Sequence, residues 1–226
     1  MTRQLVVFDV DGTLVDSQHV ILASMDAAFA AIGRARPGDA DVLAIVGLSL
    51  PEAMAALAPE LDAAARGALV EGYRSSFLAA RAAGGGESAA PLYPGARAAL
   101  ERLSADPATL LGVATGKARR GLDHVLHAHG LAGLFATAQT ADGHPSKPHP
   151  SMLRAALAET GCAPEAAAMV GDTAFDIEMG RAAGLATIGV AWGYHPRARL
   201  EAAGADVVIE DFGALDAALD RLRARP

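Results

Sequence analysis

At 226 residues the chain has room for one sizeable domain, or for one domain carrying a smaller insertion. Its apolar content of 52% argues against disorder, and with aromatics at only 4% the helices are expected to pack closely through alanine. A formal charge of −7 disfavours nucleic-acid and anionic-membrane partners, and the single cysteine, Cys162, excludes a disulfide framework and a cysteine-based zinc site.

The first apolar run, QLVVFDV, reads as a strand that ends in Asp9 and Asp11, with Gly12 and Thr13 directly after. It is too short for a signal peptide or a membrane span, so a cytoplasmic protein without a membrane partner is expected. A monomer or weak homodimer is the simplest assembly. From Ser17 to about Arg81 the patterns are helical: SQHVILASMDAAFAAIG, then LPEAMAALA, then LDAAARGALVEGYRSSFLAARAA. Ser17 is the expected N-cap of the first and Gly33 its stop. The run Gly84, Gly85 and Gly86 that follows suits a hinge.

Beyond it, strand-like LLGVAT, LFATAQT, AAMVGD, ATIGVAW and DVVIED alternate with helix-like GARAALERLS, KARRGLDHVLHAHG, SMLRAALAETG and IEMGRAAG. Gly130, Gly161 and Gly184 are placed to end three of these helices. The alternation predicts an α/β fold, a Rossmann-like doubly wound parallel sheet covered by helices on both faces. The expected division is a core of residues 1–16 and 89–226, with a small α-helical unit, residues 17–88, inserted after the first strand.

Ligands of open parallel sheets bind at the carboxyl ends of the strands. At those ends the sequence places Asp9 and Asp11, then Thr115, Gly116 and Lys117, then Lys147, and finally Asp172 with Asp176 one helical turn on. Neighbouring strands would bring Asp9 and Asp172 to roughly 5 Å. Carboxylates clustered on a dry edge do not all stay ionised without a cation, and oxygen-only ligands suit Mg²⁺. Thr115, Lys147 and the amides of a helix beginning near Gly116 would form a second half-site for phosphate oxygens. The pattern is one for phosphoryl transfer to an aspartate nucleophile.

DVDGTLVDS, VATGK, KPHP and GDTAFDIEMGRAAG, in this order and spacing, resemble the motifs of the haloacid dehalogenase-like hydrolase superfamily. The chain is most similar to the phosphoglycolate phosphatase-like branch, with a helical cap after the first strand. The resemblance implies Asp9 as nucleophile and Asp11 as general acid/base, with Thr115 and Lys147 at the phosphate. It implies Mg²⁺ on Asp9, Asp172 and the backbone carbonyl of Asp11, with Asp176 acting through water or behind the ligands. The dehalogenases lack an acid at the position of Asp11, so its presence favours phosphate esters of a small metabolite. The cap loop with Gly47, Leu48 and Ser49 would meet the leaving group.

Plainer readings compete. Asp9 and Asp11 could be turn acids, Asp176 could only complement its helix dipole, and Gly47 to Ser49 could be an ordinary turn. His124, His127 and His129 suit a helix C-terminus better than a metal, and GVATGKA lacks the glycine spacing and hydroxyl of a P-loop. Trp192 and Tyr194 are expected to pack under the site or at its rim. Arg34, Arg36, Arg74 and Arg81 could each meet a substrate carboxylate. A phosphomutase with the same core, and a non-enzymatic phospho-receiver, are the alternatives to a phosphatase.

Overall fold

The computed structural model describes residues 3–82 and 90–223. Six short runs form strands: β1 (Gln4–Phe8), β2 (Thr109–Thr115), β3 (Thr137–Thr140), β4 (Ala167–Gly171), β5 (Ala186–Val190) and β6 (Val207–Ile209). They pair in parallel in the order β3-β2-β1-β4-β5-β6, a doubly wound Rossmann-like sheet. Alternation along β1 feeds both faces: Val6 and Phe8 join one core, Leu5 and Val7 the other. The first core is closed by α5 (Ala96–Ser104), α6 (Arg119–Ala128) and α10 (Leu215–Arg223). The second is closed by α7 (Ser151–Thr160) and α8 (Ala174–Ala183). A short α9 (Arg197–Ala202) packs by β5 and β6.

Between β1 and α5 lie α1 (Gln18–Ala31), α2 (Asp39–Leu43), α3 (Leu50–Leu57) and α4 (Ala63–Ala82). They share a third apolar cluster, including Met25, Phe29, Met54 and Leu69, separate from the two sheet cores. A segment with its own core can shift relative to the sheet without opening either sheet core.

Three local expectations change. Ser17 makes no side-chain cap on α1, because its hydroxyl is engaged by Asp11. Helices α2, α9 and α10 add to the expected set, and the triple-glycine hinge lies outside the described residues. No helix among the described residues is long and apolar enough to cross a membrane.

Candidate active site

Strand β1 ends at Phe8, paired with Val170 of β4, and the Asp9 amide continues the ladder by donating to the Val170 carbonyl at 3.0 Å. Asp9 and Asp172 therefore leave adjacent strands. Both are buried, as are Asp176 and Lys147. Lys147 Nζ lies 2.9 Å from Asp9 Oδ1, outside hydrogen-bond alignment, and donates to Asp176 Oδ1 at 2.7 Å. Asp176 Oδ2 accepts from the Thr173 amide and hydroxyl, in a capping box that starts α8. Asp176 thus serves its helix and Lys147 at once. Asp172 accepts from Thr13 Oγ1 at 2.8 Å and from the Tyr194 amide at 2.9 Å. It is wedged between two glycines: a Cβ on Gly12, whose φ is +81°, would fall 2.2 Å from its Oδ2, and one on Gly193 2.1 Å from its Cβ. Only glycine lets the backbone come this close.

Asp9 Oδ2 is buried and has no partner among the described residues. Burial pushes the Asp9 carboxyl up to about 7, with Lys147 opposing and Asp176 adding to the rise. Burial, then Asp176 and Asp9, hold Asp172 well above the usual carboxylate range. Burial alone would lower the Lys147 ammonium, yet Asp176 and Asp9 outweigh it and keep the lysine charged. Asp9, Asp172 and Asp176 offer oxygens within 4.8 Å of one another, facing one lysine. That excess of buried acid, with an orphaned oxygen in it, fits a hard divalent cation. The side chain of Asp11 is not in this group. Among the described residues His124, His127 and His129 form no such group either.

Asp11 turns instead to the hydroxyl of Ser17 and to Lys117, whose Nζ is 2.6 Å from Oδ2. Ser17 in turn meets the Tyr194 hydroxyl at 3.1 Å, and the Trp192 indole donates to the Thr13 carbonyl, so both aromatics frame the site as expected. Lys117 and Ser17 are the residues that sequence reasoning passed over as partners of the acid. Their adjacency to Thr115 and Asp16 within the same motifs was the available signal.

Thr115 is buried at the end of β2, and its hydroxyl accepts from the Lys117 amide at 3.3 Å. The helix expected near Gly116 begins at Arg119, and the Arg119 amide is taken by Asp142, so that amide is not free for phosphate. Gly116 lies under the loop between α2 and α3: a Cβ there would fall 2.6 Å from the carbonyl oxygens of both Gly47 and Leu48. The Ser49 amide in that loop donates to Ser146 Oγ at 2.8 Å. Buried His195 accepts from the Ala174 amide through Nδ1 and meets the Ala44 carbonyl through Nε2, joining α8 to the same loop.

Core and helical segment enclose a cavity of about 730 Å³, lined by Asp9, Asp11, Thr115, Gly116, Gly47 and Ser49 among others. Asp172, Asp176 and Lys147 lie behind Asp9 rather than in its wall. Of the four arginines, Arg34 pairs with Glu60 and Arg36 with Asp26 and Asp39, away from the cavity. Arg74 reaches its wall, and the side chain of Arg81 is outside the described residues.

A family model for "Haloacid dehalogenase-like hydrolase" matches residues 6–190. "Probable phosphatase IndB" of Dickeya dadantii is 34% identical over 218 residues, covering 93% of this chain and 90% of that one. The phosphoglycolate phosphatase of Vibrio cholerae is 30% identical over 224 residues, covering 94% and 95%. A haloacid dehalogenase-like hydrolase from Streptococcus pneumoniae superposes with a TM-score of 0.83 at 25% identity, over 96% of this chain and 98% of the other.

Proposed function

We propose a reaction course for this chain, which belongs to the haloacid dehalogenase-like hydrolase family and is a phosphatase: Mg²⁺-dependent hydrolysis of a small-metabolite phosphomonoester through an aspartyl phosphate on Asp9. The observation that carries this reading is the unpartnered oxygen of Asp9, a buried carboxylate lining the cavity between Asp11 and the acids behind it.

In this reading Asp9 Oδ2 attacks phosphorus, a new P–O bond forms to Asp9, and the bond to the alcohol breaks. Asp11 gives its proton to the departing oxygen, then takes one from the water that attacks the aspartyl phosphate, which restores Asp9 and frees phosphate. Thr115 and Gly116 hold phosphoryl oxygens. Lys147 keeps Asp9 oriented, and Lys117 with Ser17 fixes the rotamer of Asp11. Asp9, Asp172 and the Asp11 carbonyl would hold Mg²⁺, with Asp176 supporting them; the cation would neutralise charge on the phosphoryl group. The helical segment, residues 17–88, acts as a cap that excludes water while the alcohol departs, and Gly47 to Ser49 face that alcohol.

Purified protein is expected to release phosphate from p-nitrophenyl phosphate with Mg²⁺, and from 2-phosphoglycolate as the substrate named for a relative. Chelation should stop it. Asp9→Asn should lower kcat by at least about 10³-fold; retained turnover in that variant rules out the covalent intermediate. Asp11→Asn should slow ethyl phosphate roughly 10²-fold more than p-nitrophenyl phosphate, whose leaving group needs no proton.

A further inference from the structure

The cavity is large for a two-carbon acid phosphate. Its 730 Å³ lies high in the ~300–1,000 Å³ range of pockets that enclose drug-sized ligands. The core side of its wall is mainly polar, whereas the helical segment, beside Ser49, Glu52 and Arg74, contributes Ile21, Met25, Leu48, Tyr73, Phe77 and Leu78. Tyr73 and Phe77 stand one turn apart on α4, with centroids 6.1 Å apart and rings 16° from parallel, a stacked aromatic pair on that wall. The Tyr73 hydroxyl has no hydrogen-bond partner among the described residues.

Cations that could meet a second anionic group are engaged in ion pairs or sit at the exposed rim of the cavity. Lys117 is paired with Asp11 and sits 5.1 Å from the Phe77 ring centre. Arg74 is half exposed and paired with Glu71, and Arg120 is exposed at the edge. Both ring nitrogens of His144 are taken, by Ser151 and Gln139. A carboxylate two atoms from the phosphate ester would find no unpaired cation among the described residues of the buried wall.

We propose that the substrate is a phosphomonoester of a ring-bearing, mainly apolar alcohol, seated against Tyr73 and Phe77 with one acceptor on the Tyr73 hydroxyl. This rests on the phosphatase reading of the same site and narrows it. Burial of the ring supplies the selectivity, and a short acid phosphate leaves most of the cavity wet.

The test compares kcat/KM for 2-phenylethyl phosphate, ethyl phosphate and 2-phosphoglycolate with Mg²⁺ present. The ring-bearing ester should exceed both others at least tenfold, and Phe77→Ala should erase most of that margin. Equal values, or a preference for 2-phosphoglycolate, overturn the inference while leaving the phosphatase reaction intact. If no ester is hydrolysed, the reaction course falls instead, and calorimetry with 2-phenylethylphosphonate and ethylphosphonate decides the pocket separately. Tenfold tighter binding of the phenyl compound supports the ring site, and equal binding refutes it.

Discussion

Asp9 is an acid caught between its burial and its single lysine. Its carboxyl, ordinarily at 3.8, is pushed up to about 7 in the folded chain. Between those values the folded protein binds a proton that the unfolded chain has released, so metal-free stability falls as the pH rises through this window. Asp9→Asn removes that penalty. In chelator at pH 8 the variant should be more stable than the parent by on the order of 2 kcal/mol, with the gap closing near pH 4.5. Denaturant titration checks it, and a less stable variant at pH 8 would contradict the account. Asp9, Asp11, Thr115 and Asp172 were legible in the sequence because each ends or directly follows a short apolar run, Asp176 because it lies one helical turn past Asp172, and Lys147 only through the motif in the loop after β3. Lys117 was visible as a residue but not as a partner. Its contact with Asp11 depends on how far a flexible side chain folds back, which spacing does not encode.

At the scale of elements, the loop between α2 and α3 is held by ties to the core. Gly116 admits the Gly47 and Leu48 carbonyls, Ser146 accepts from Ser49, and His195 bridges Ala44 to the first turn of α8. Burial lowers the His195 imidazole, so it stays neutral and keeps Nδ1 as an acceptor. His195→Ala would leave two backbone groups without partners, at a cost of about 1–3 kcal/mol each. Amides from Ala44 to Ser49 should then exchange faster, while those of β1 and β4 remain protected; unchanged exchange in the loop would refute the tie. Strands and most of the longer helices were readable from apolar period, though α10 was passed over. The short α2 and α9 were not, since five or six residues carry too little periodicity. His195 gave no sign of its role, because its two partners lie far away in sequence.

The whole molecule is a two-faced sheet with a helical segment closed over its working edge. If catalysis needs that segment to move, fixing it shut should stop turnover. The Ser49 amide meets the Ser146 hydroxyl across the seam, and the one native cysteine, Cys162, is buried. A Ser49→Cys, Ser146→Cys double variant should lose nearly all activity on oxidation and regain it with reductant. Full activity in the oxidised form would mean that the segment need not open. The helical run of α1–α4 was legible because its apolar positions, which share one cluster, repeat the helical period without a strand to interrupt it. Its docking on the core was not legible, because that seam is made of close glycine approaches and of single side chains, Ser146 and His195, meeting backbone groups rather than of patterned side chains.

The sole tryptophan, Trp192, donates to the carbonyl of Thr13, and the hydroxyl of the same threonine donates to Asp172. The chain's only indole is therefore wired through one residue to an acid of the cluster. Its emission is an unlabelled optical readout of that corner, free of any second chromophore of its kind.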